Sequence, residues 1–103
     1  MIVYEVNLRV DEALVEEYLA WLRPHIDEML TFPGFLGAQL WTRRAEDEGD
    51  SPDDTRRFTV HYQIATREDL EAYFQGPAKR MRGDGLKRFT GRFSATRRVL
   101  HPT

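Results

Sequence analysis

The chain has 103 residues, which at about 100–200 residues per domain predicts one domain over residues 1–103. Lysine and arginine total 15 against 17 aspartates and glutamates, and this formal net charge of −2 argues against a dedicated nucleic-acid binder. The chain has no cysteine, which excludes disulfides and cysteine-based metal sites, and no apolar run approaches the about 20 residues of a membrane span. Because no signal-peptide pattern follows Met1, we expect a cytoplasmic protein without a membrane partner.

The first predicted strand is an alternating segment from Ile2 to Val10. One face carries Ile2, Tyr4, Val6, Leu8 and Val10, and the other carries Val3, Glu5, Asn7 and Arg9. Asp11 is expected to cap a long amphipathic helix that ends near Thr31. Its apolar stripe comprises Leu14, Tyr18, Leu22, Ile26 and Met29. Pro24 falls inside this helix and predicts a kink or local break rather than two elements.

The middle of the chain predicts a hairpin. After a turn at 32–35, a second strand runs from about Phe35 to Arg44, with Leu36, Ala38 and Leu40 on one face and Gln39 and Trp41 on the other. The segment 45–55 holds six acids and no base, which predicts a solvated loop. A third strand follows over 57–65. Its apolar face is Phe58, Val60, Tyr62 and Ile64, and its polar face is Thr59, His61 and Gln63.

The last third of the chain predicts a broken helix and a closing strand. Thr66 and Asp69 form a capping-box variant before a stripe of Leu70, Tyr73 and Phe74. Gly76-Pro77 interrupts this helix, and Ala78–Phe89 predicts one or two more helical turns. These are expected to break at Gly83-Asp84-Gly85, which we interpret as a turn rather than a phosphate loop. The fourth strand is predicted over 92–100.

The order β-α-β-β-α-β predicts a ferredoxin-like α+β sandwich with an antiparallel sheet and helices on one face. We expect right-handed crossovers to place the first and third strands side by side as parallel neighbours, with the second and fourth strands at the edges. One layer of helices leaves the other sheet face open. A homodimer packed through that face is the default expectation, because twofold dimers are the commonest oligomers.

Several segments resemble a family of short bacterial proteins known as domain of unknown function 4286. They are Ile2–Asn7, Trp21-Leu22 with His25, Phe32-Pro33-Gly34-Phe35, Arg88-Phe89, Arg92–Ala95 and Arg97–Leu100. The Pro-Gly-Phe turn is also similar to the wider dimeric α/β-barrel superfamily, which includes antibiotic-biosynthesis monooxygenases and haem-degrading enzymes. The resemblance implies two protomers packed sheet against sheet. The family has no established activity and therefore supplies no catalytic residues.

The haem-degrading relatives suggest a cofactor that this sequence does not support. Asn7 and Trp41 resemble the asparagine and tryptophan with which those enzymes seat their porphyrin. The resemblance also implies an axial histidine on the second helix, but the segment 70–81 contains none. We therefore predict neither haem nor any other cofactor.

His61 is the leading candidate for chemistry. It lies on the polar face of the third strand and is expected to approach Asn7, where it could deprotonate a phenol or enol. If the protein is an enzyme, a cofactor-free oxygenase or isomerase fits best, with His61 and Asn7 catalytic. The ligand-binding residues would then be Trp41, Gln63, Tyr62 and Arg9. The alternative is a non-catalytic binding or regulatory module, with His61 hydrogen-bonded inside a dimer interface.

Three further patterns have simpler competing explanations. His25 and Glu28 share a helix face and could be half of a metal site, but nothing supplies the other half, and a surface histidine beside Trp21 is favoured. The segment 78–98 has eight bases and one acid, which predicts either an anion site or charges that balance the acidic loop. An RNA-recognition module is rejected, because Phe58 and Tyr62 share the apolar face of their strand.

Overall fold

A computed structural model describes residues 1–103 as one four-stranded sheet with three helices packed on it. The strands are β1 (Ile2–Asp11), β2 (Phe35–Arg43), β3 (Thr55–Ile64) and β4 (Phe93–Leu100). The helices are α1 (Val15–Met29), α2 (Arg67–Gln75) and α3 (Ala78–Phe89), with 3-10 turns at Glu12–Leu14 and Ala45–Glu48. The ferredoxin-like α+β fold predicted from the pattern is confirmed.

The sheet order is β2-β3-β1-β4, so the two strands with the cleanest apolar faces are central, as predicted. Every neighbouring pair is antiparallel, and the expectation that the first and third strands are parallel is wrong. The crossover through α1 returns β2 in the direction of β1, and the hairpin then reverses the chain. Strand β3 must therefore run against β1.

The alternation in β1 and β3 separates an inner face under the helices from an open face. Tyr4 lies opposite Tyr62 on the inner face, and Glu5 lies opposite His61 on the open face. The core comprises inner-face residues and the apolar stripes of the helices, including Leu14, Leu22, Met29, Leu70 and Met81. Burial of these side chains supplies most of the stabilisation of the fold.

The helix boundaries follow two of the three local signals in the sequence. The Thr66 hydroxyl accepts the Asp69 backbone N–H at 3.1 Å, as the capping box predicts. Helix α1 continues through Pro24 as a single element. Asp11, however, makes no capping hydrogen bond. Its carboxylate instead lies 3.4 Å from Nε of Arg92, so the predicted cap is wrong.

Two predicted local features are wrong. The alternation in β2 predicts that Leu36 shares a face with Ala38 and Leu40. A bulge between Phe35 and Gly37 instead turns Leu36 outward and leaves it 64% exposed. The predicted break at 83–85 is absent, because α3 is continuous from Ala78 to Phe89. Gly85 is required there for packing, since a Cβ would lie 2.8 Å from Cη2 of Trp21 on α1.

Candidate functional site

The open face of the sheet holds a hydrogen-bonded network centred on Glu5, which is only 5% exposed. Its Oε1 lies 2.9 Å from Nε2 of His61 on β3. Its Oε2 accepts Nδ2 of Asn7 at 2.9 Å and also Nε of Arg98 on β4. Side chains from three strands therefore converge on one buried carboxylate, which we call the Glu5 network.

The charge of Glu5 is fixed by these donors. The hydrogen bond from Arg98 is the largest influence, followed by burial, which acts in the opposite direction, and by the bonds from Asn7 and His61. Together they lower the pKa of Glu5 from 4.5 to about 2. Because the carboxylate is ionised at neutral pH, Nε2 of His61 carries the hydrogen that it shares with Glu5. Nδ1 of a neutral His61 is then left as the basic atom.

The predicted pairing of His61 with Asn7 is indirect. The register places Asn7 opposite Thr59, and the Thr59 hydroxyl donates to Oδ1 of Asn7 at 2.7 Å. Asn7 and His61 each bond a different oxygen of Glu5. Glu5 is thus the residue that the sequence analysis missed, since an acidic residue on a polar strand face gives no signal of its partners.

The Glu5 network borders an open hollow of about 660 Å³, which we call the polar concavity. Trp41 forms one wall, as predicted for a ligand-binding residue, and is 53% exposed. Arg43 and Thr96 also line the hollow. Nε of Arg43 is a buried donor without a hydrogen-bond partner. The concavity therefore has polar side chains, one exposed aromatic ring and one unused donor.

Three predicted ligand-binding residues do not line the polar concavity. Gln63 exchanges amide hydrogen bonds with Gln39, with Nε2 of Gln39 3.2 Å from Oε1 of Gln63. Arg9 bonds Asp53 and the Thr55 hydroxyl in the hairpin loop. Tyr62 points to the inner face and is buried there.

Three of the six acids of the acidic loop, Glu48, Asp50 and Asp53, form ion pairs with arginines of the strands. Arg57 is 7% exposed and bonds Asp50 at 2.8 Å and Glu48 at 3.1 Å. Arg43 also bonds Glu48 at 2.8 Å. We expected the basic segment 78–98 to balance this loop either within one chain or across a dimer, and within one chain no base of 78–98 forms an ion pair with it. The partners of the basic segment are acids of β1 and α1, in the pairs Arg80–Glu28, Arg88–Glu17, Arg92–Asp11 and Arg98–Glu5.

A second hollow lies on the other side of the sheet, between β4, α1 and α3. This cavity has a volume of about 210 Å³ and is lined mostly by apolar and aromatic side chains. We call it the aromatic cavity; its rings belong to Tyr4, Tyr18, Trp21, Tyr62, Tyr73 and Phe93. The sequence patterns place Tyr4, Tyr18, Tyr62 and Tyr73 on apolar faces, because periodicity shows which side chains face inward and not where they leave a void.

The polar lining of the aromatic cavity is weakly basic and rich in hydroxyls. His25 stacks on Trp21 with ring centroids 4.6 Å apart, and burial lowers the pKa of His25 below 6.5. Burial raises the pKa of Tyr73 to about 12 and shifts those of Tyr18 and Tyr62 further upward. At neutral pH the cavity therefore presents a neutral imidazole and protonated phenols. His25 is half-buried and belongs to this wall, rather than being the surface histidine expected.

The histidine and carboxylate positions do not form a metal centre. Glu28 bonds Arg80 at 3.0 Å, and no group of three or more histidine, aspartate or glutamate side chains is placed to hold an ion. Helices α2 and α3 contain no histidine, so the residues present do not fit a haem bound as the resemblance implies. None of the helices is both long enough and apolar enough to span a membrane.

Solved structures with the same fold include proteins with named activities. A dimeric ferredoxin-like protein from an uncultured marine organism has a TM-score of 0.70 at 12% identity, covering 100% of this chain and 95% of that chain. The haem-degrader MhuD from Mycobacterium tuberculosis, with two haems in its active site, has a TM-score of 0.64 at 18% identity, covering 100% and 96%. The cofactor-independent oxygenase SnoaB from Streptomyces nogalater has a TM-score of 0.60 at 13% identity, covering 99% and 93%.

Identities this low establish a shared fold and do not transfer an activity. No curated protein is similar to the chain in sequence. Residues 1–103 match the family described as "Domain of unknown function (DUF4286)", and the chain belongs to that family.

Proposed function

We propose that the protein binds a small ligand with an aromatic ring in the aromatic cavity, and that two copies pair through the open faces of their sheets. The observation that carries the first part is the cavity itself, about 210 Å³ in volume and lined mainly by aromatic and aliphatic side chains. An engineered apolar cavity of about 150 Å³ takes up benzene. The volume therefore suits one ring with a short substituent.

The named relatives support a small-molecule role. SnoaB is named as a cofactor-independent oxygenase, and MhuD is named as a haem-degrader with two haems bound in its active site. In this chain Tyr18 and Tyr62 line the cavity, and burial raises the pKa of both phenols, so that they are protonated at neutral pH. An apolar hollow with a few directed polar groups is typical of ligand sites.

The ligand test uses the two tryptophans. In a Trp41→Phe background, Trp21 is the sole tryptophan and lines the cavity. Titration with neutral single-ring compounds, benzyl alcohol and phenylacetamide, should change its emission saturably. Ala95→Leu, which fills the cavity, should weaken this response at least tenfold. Ala38→Leu is the matched control on the inner face of β2, outside the cavity. No saturable response, or an equal loss in both variants, would contradict the proposal.

The pairing of two copies is supported by the open face. Its centre is a buried carboxylate, Glu5, held by partly exposed donors, and the exposed Trp41 ring lies in the same hollow. One of the structural relatives is itself named as dimeric. Light scattering on the eluting peak of a size-exclusion column should give twice the 12.1 kDa chain mass. Trp41→Glu should shift the mass toward one chain, while Leu36→Glu should not. A wild-type mass of one chain would refute the pairing.

Acid–base catalysis at His61 is a second candidate function. The observation that favours it is the 2.9 Å contact with an ionised Glu5, which fixes the imidazole with Nδ1 available as a base. Oxygenase and isomerase reactions on phenols or enols both begin with removal of a proton. The test is deuterium exchange at the acidic carbon of phenylacetone. His61→Ala should slow protein-catalysed exchange about 100-fold. His25→Gln, in the aromatic cavity, is the control. Unchanged exchange in His61→Ala would leave the open face with a structural role only.

A further inference from the structure

The basic segment contains two arginines that no carboxylate neutralises. Four of the six arginines in 78–98 lie within 4.0 Å of an acid on β1 or α1. Arg82 and Arg97 form no such ion pair. They come from different elements, α3 and β4, yet both line the aromatic cavity. The aromatic cavity is therefore lined by two guanidinium groups that have no carboxylate partner within the protein.

These arginines stand at the mouth of the aromatic cavity. Of its lining residues, those exposed to solvent are Arg82 and Leu86 on α3, and Ser94 and Arg97 on β4. The remaining lining residues are buried or half-buried. The opening therefore lies between α3 and the edge strand β4, the two elements that carry Arg82 and Arg97.

Arg82 is held in place while donors remain unused. Its Nη2 donates to the Tyr4 hydroxyl at 3.1 Å, and its guanidinium lies 5.8 Å from the centre of the Phe74 ring. Tyr4 is buried at the floor of the cavity, so this contact ties the arginine to a fixed point. A guanidinium has five N–H donors, and one hydrogen bond to a phenol leaves most of them available to an anion.

The charge of Arg97 reaches several groups in the cavity wall. Burial is the largest influence on the pKa of each, raising it for Tyr18, Tyr62 and Tyr73 and lowering it for His25, and the charge of Arg97 is a smaller influence that lowers it in all four. One guanidinium is therefore close to four groups on three different elements. Asp84 and Glu28 oppose this field at His25, but Glu28 is paired with Arg80. Asp84 is the remaining unpaired acid, so the mouth carries a net positive charge.

We propose that the ligand of the aromatic cavity is an arylcarboxylate of single-ring size, bound with its carboxylate between Arg82 and Arg97. This inference rests on the proposed ligand-binding function and names the class of ligand. The ring would occupy the apolar interior, and the carboxylate would stay at the mouth, where both guanidinium groups can donate to it. Arginine is well suited to this role because its planar fork matches the two oxygens of a carboxylate.

The test compares phenylacetate with phenylacetamide, which has the same ring and arm but no charge. Dissociation constants are measured by ligand-observed NMR titration at low and at physiological salt. The wild type should bind the carboxylate at least tenfold more tightly than the amide. Arg97→Gln, which removes no side-chain hydrogen bond or ion pair within the protein, should abolish this preference and leave amide binding unchanged. Arg82→Gln should act the same way, with circular dichroism to check the fold.

The matched control is Arg88→Gln, a neighbouring base of α3 that pairs with Glu17 outside the cavity. It should keep the preference for phenylacetate. Equal binding of the two probes by the wild type would overturn the arylcarboxylate inference while leaving the ligand-binding proposal intact. An equal loss in Arg88→Gln and Arg97→Gln would also overturn it, because the effect would then be general charge attraction. Failure of both probes to bind would overturn both proposals.

Discussion

The two faces of the sheet differ in how their polar side chains are paired, although the open face has one exception, the buried Nε of Arg43, which has no hydrogen-bond partner. On the open face the buried residues Glu5, Arg57 and Thr59 all form hydrogen bonds to neighbouring side chains. On the inner face, around the aromatic cavity, Arg82 and Arg97 lack acids, and among the cavity tyrosines only Tyr4 bonds a side chain. Buried polar groups in native proteins are nearly always satisfied. A satisfied network supports structure or an interface, whereas unpaired donors around a void are available to a ligand of the kind we propose.

The largest expected effect is on the satisfied face. Glu5→Ala leaves His61, Asn7 and Arg98 without their common acceptor and should lower the free energy of unfolding by about 3 kcal/mol, as for a broken buried pair. Urea denaturation measures this loss. The control is Glu71→Ala, which breaks an exposed pair with Arg67 on α2 and should cost less than about 0.5 kcal/mol. Similar losses in the two variants would mean that the Glu5 network contributes no more than a surface pair.

The same carboxylate predicts how stability depends on pH. The pKa of Glu5 falls from its ordinary 4.5 to about 2 in the folded protein. A group whose pKa is lowered by folding stabilises the protein above its ordinary pKa. That contribution, about 3 kcal/mol at neutral pH, is lost as pH falls from 4.5 toward 2.

The measurement is urea unfolding of the wild type and of Glu5→Gln between pH 7 and pH 2.5. The pKa values of Glu48 and Asp53 are also lowered, but both residues are present in both proteins and cancel in the difference. The wild type should lose its advantage over Glu5→Gln in this acid range. An advantage that stays constant with pH would show that Glu5 is not ionised by its neighbours in the way the structure indicates.

A matched pair of hydroxyl deletions sharpens the contrast between the faces. Thr59→Val removes the bond to Asn7 and should cost about 1 kcal/mol of unfolding free energy. Tyr62→Phe removes the hydroxyl of a cavity-lining residue that makes no side-chain hydrogen bond, and should change stability by less than about 0.5 kcal/mol. Thermal denaturation of both variants gives the comparison. A Tyr62→Phe loss as large as that of Thr59→Val would mean that the cavity hydroxyl is already satisfied.

The sequence predicts the open face better than the cavity. Alternation in β1 and β3 separates Glu5 and His61 from Tyr4 and Tyr62, because side chains on a strand alternate strictly. It does not reveal that Glu5 meets His61, since register depends on how the crossover and the hairpin combine. The same uncertainty produced the mistaken parallel pairing of the first and third strands.

The aromatic cavity depends on a feature that local signals conceal. Two glycines within three residues at 83–85 predict a turn, since glycine disfavours helix by about 1 kcal/mol relative to alanine. The structure instead uses Gly85 inside α3 to let Trp21 of α1 approach closely. Tertiary packing of this kind outweighs local helix propensity. It keeps α3 continuous through Gly85 and determines the size of the aromatic cavity beside it. The bulge that exposes Leu36 likewise has no signal in the strand pattern.

Gly85 therefore provides the smallest and most selective perturbation. Gly85→Ala gains helix propensity of about 1 kcal/mol, but the new Cβ would lie 2.8 Å from Cη2 of Trp21. The ring must shift into the aromatic cavity, at a cost that offsets the gain, so stability should change by less than about 0.5 kcal/mol. Trp21 emission in the Trp41→Phe background should change, and affinity for phenylacetate should fall. Gly83→Ala, with no atom within 4 Å of its new Cβ, should stabilise α3 and leave both signals unchanged. If Gly83→Ala and Gly85→Ala altered phenylacetate binding alike, the cavity wall formed by Trp21 would not govern the site.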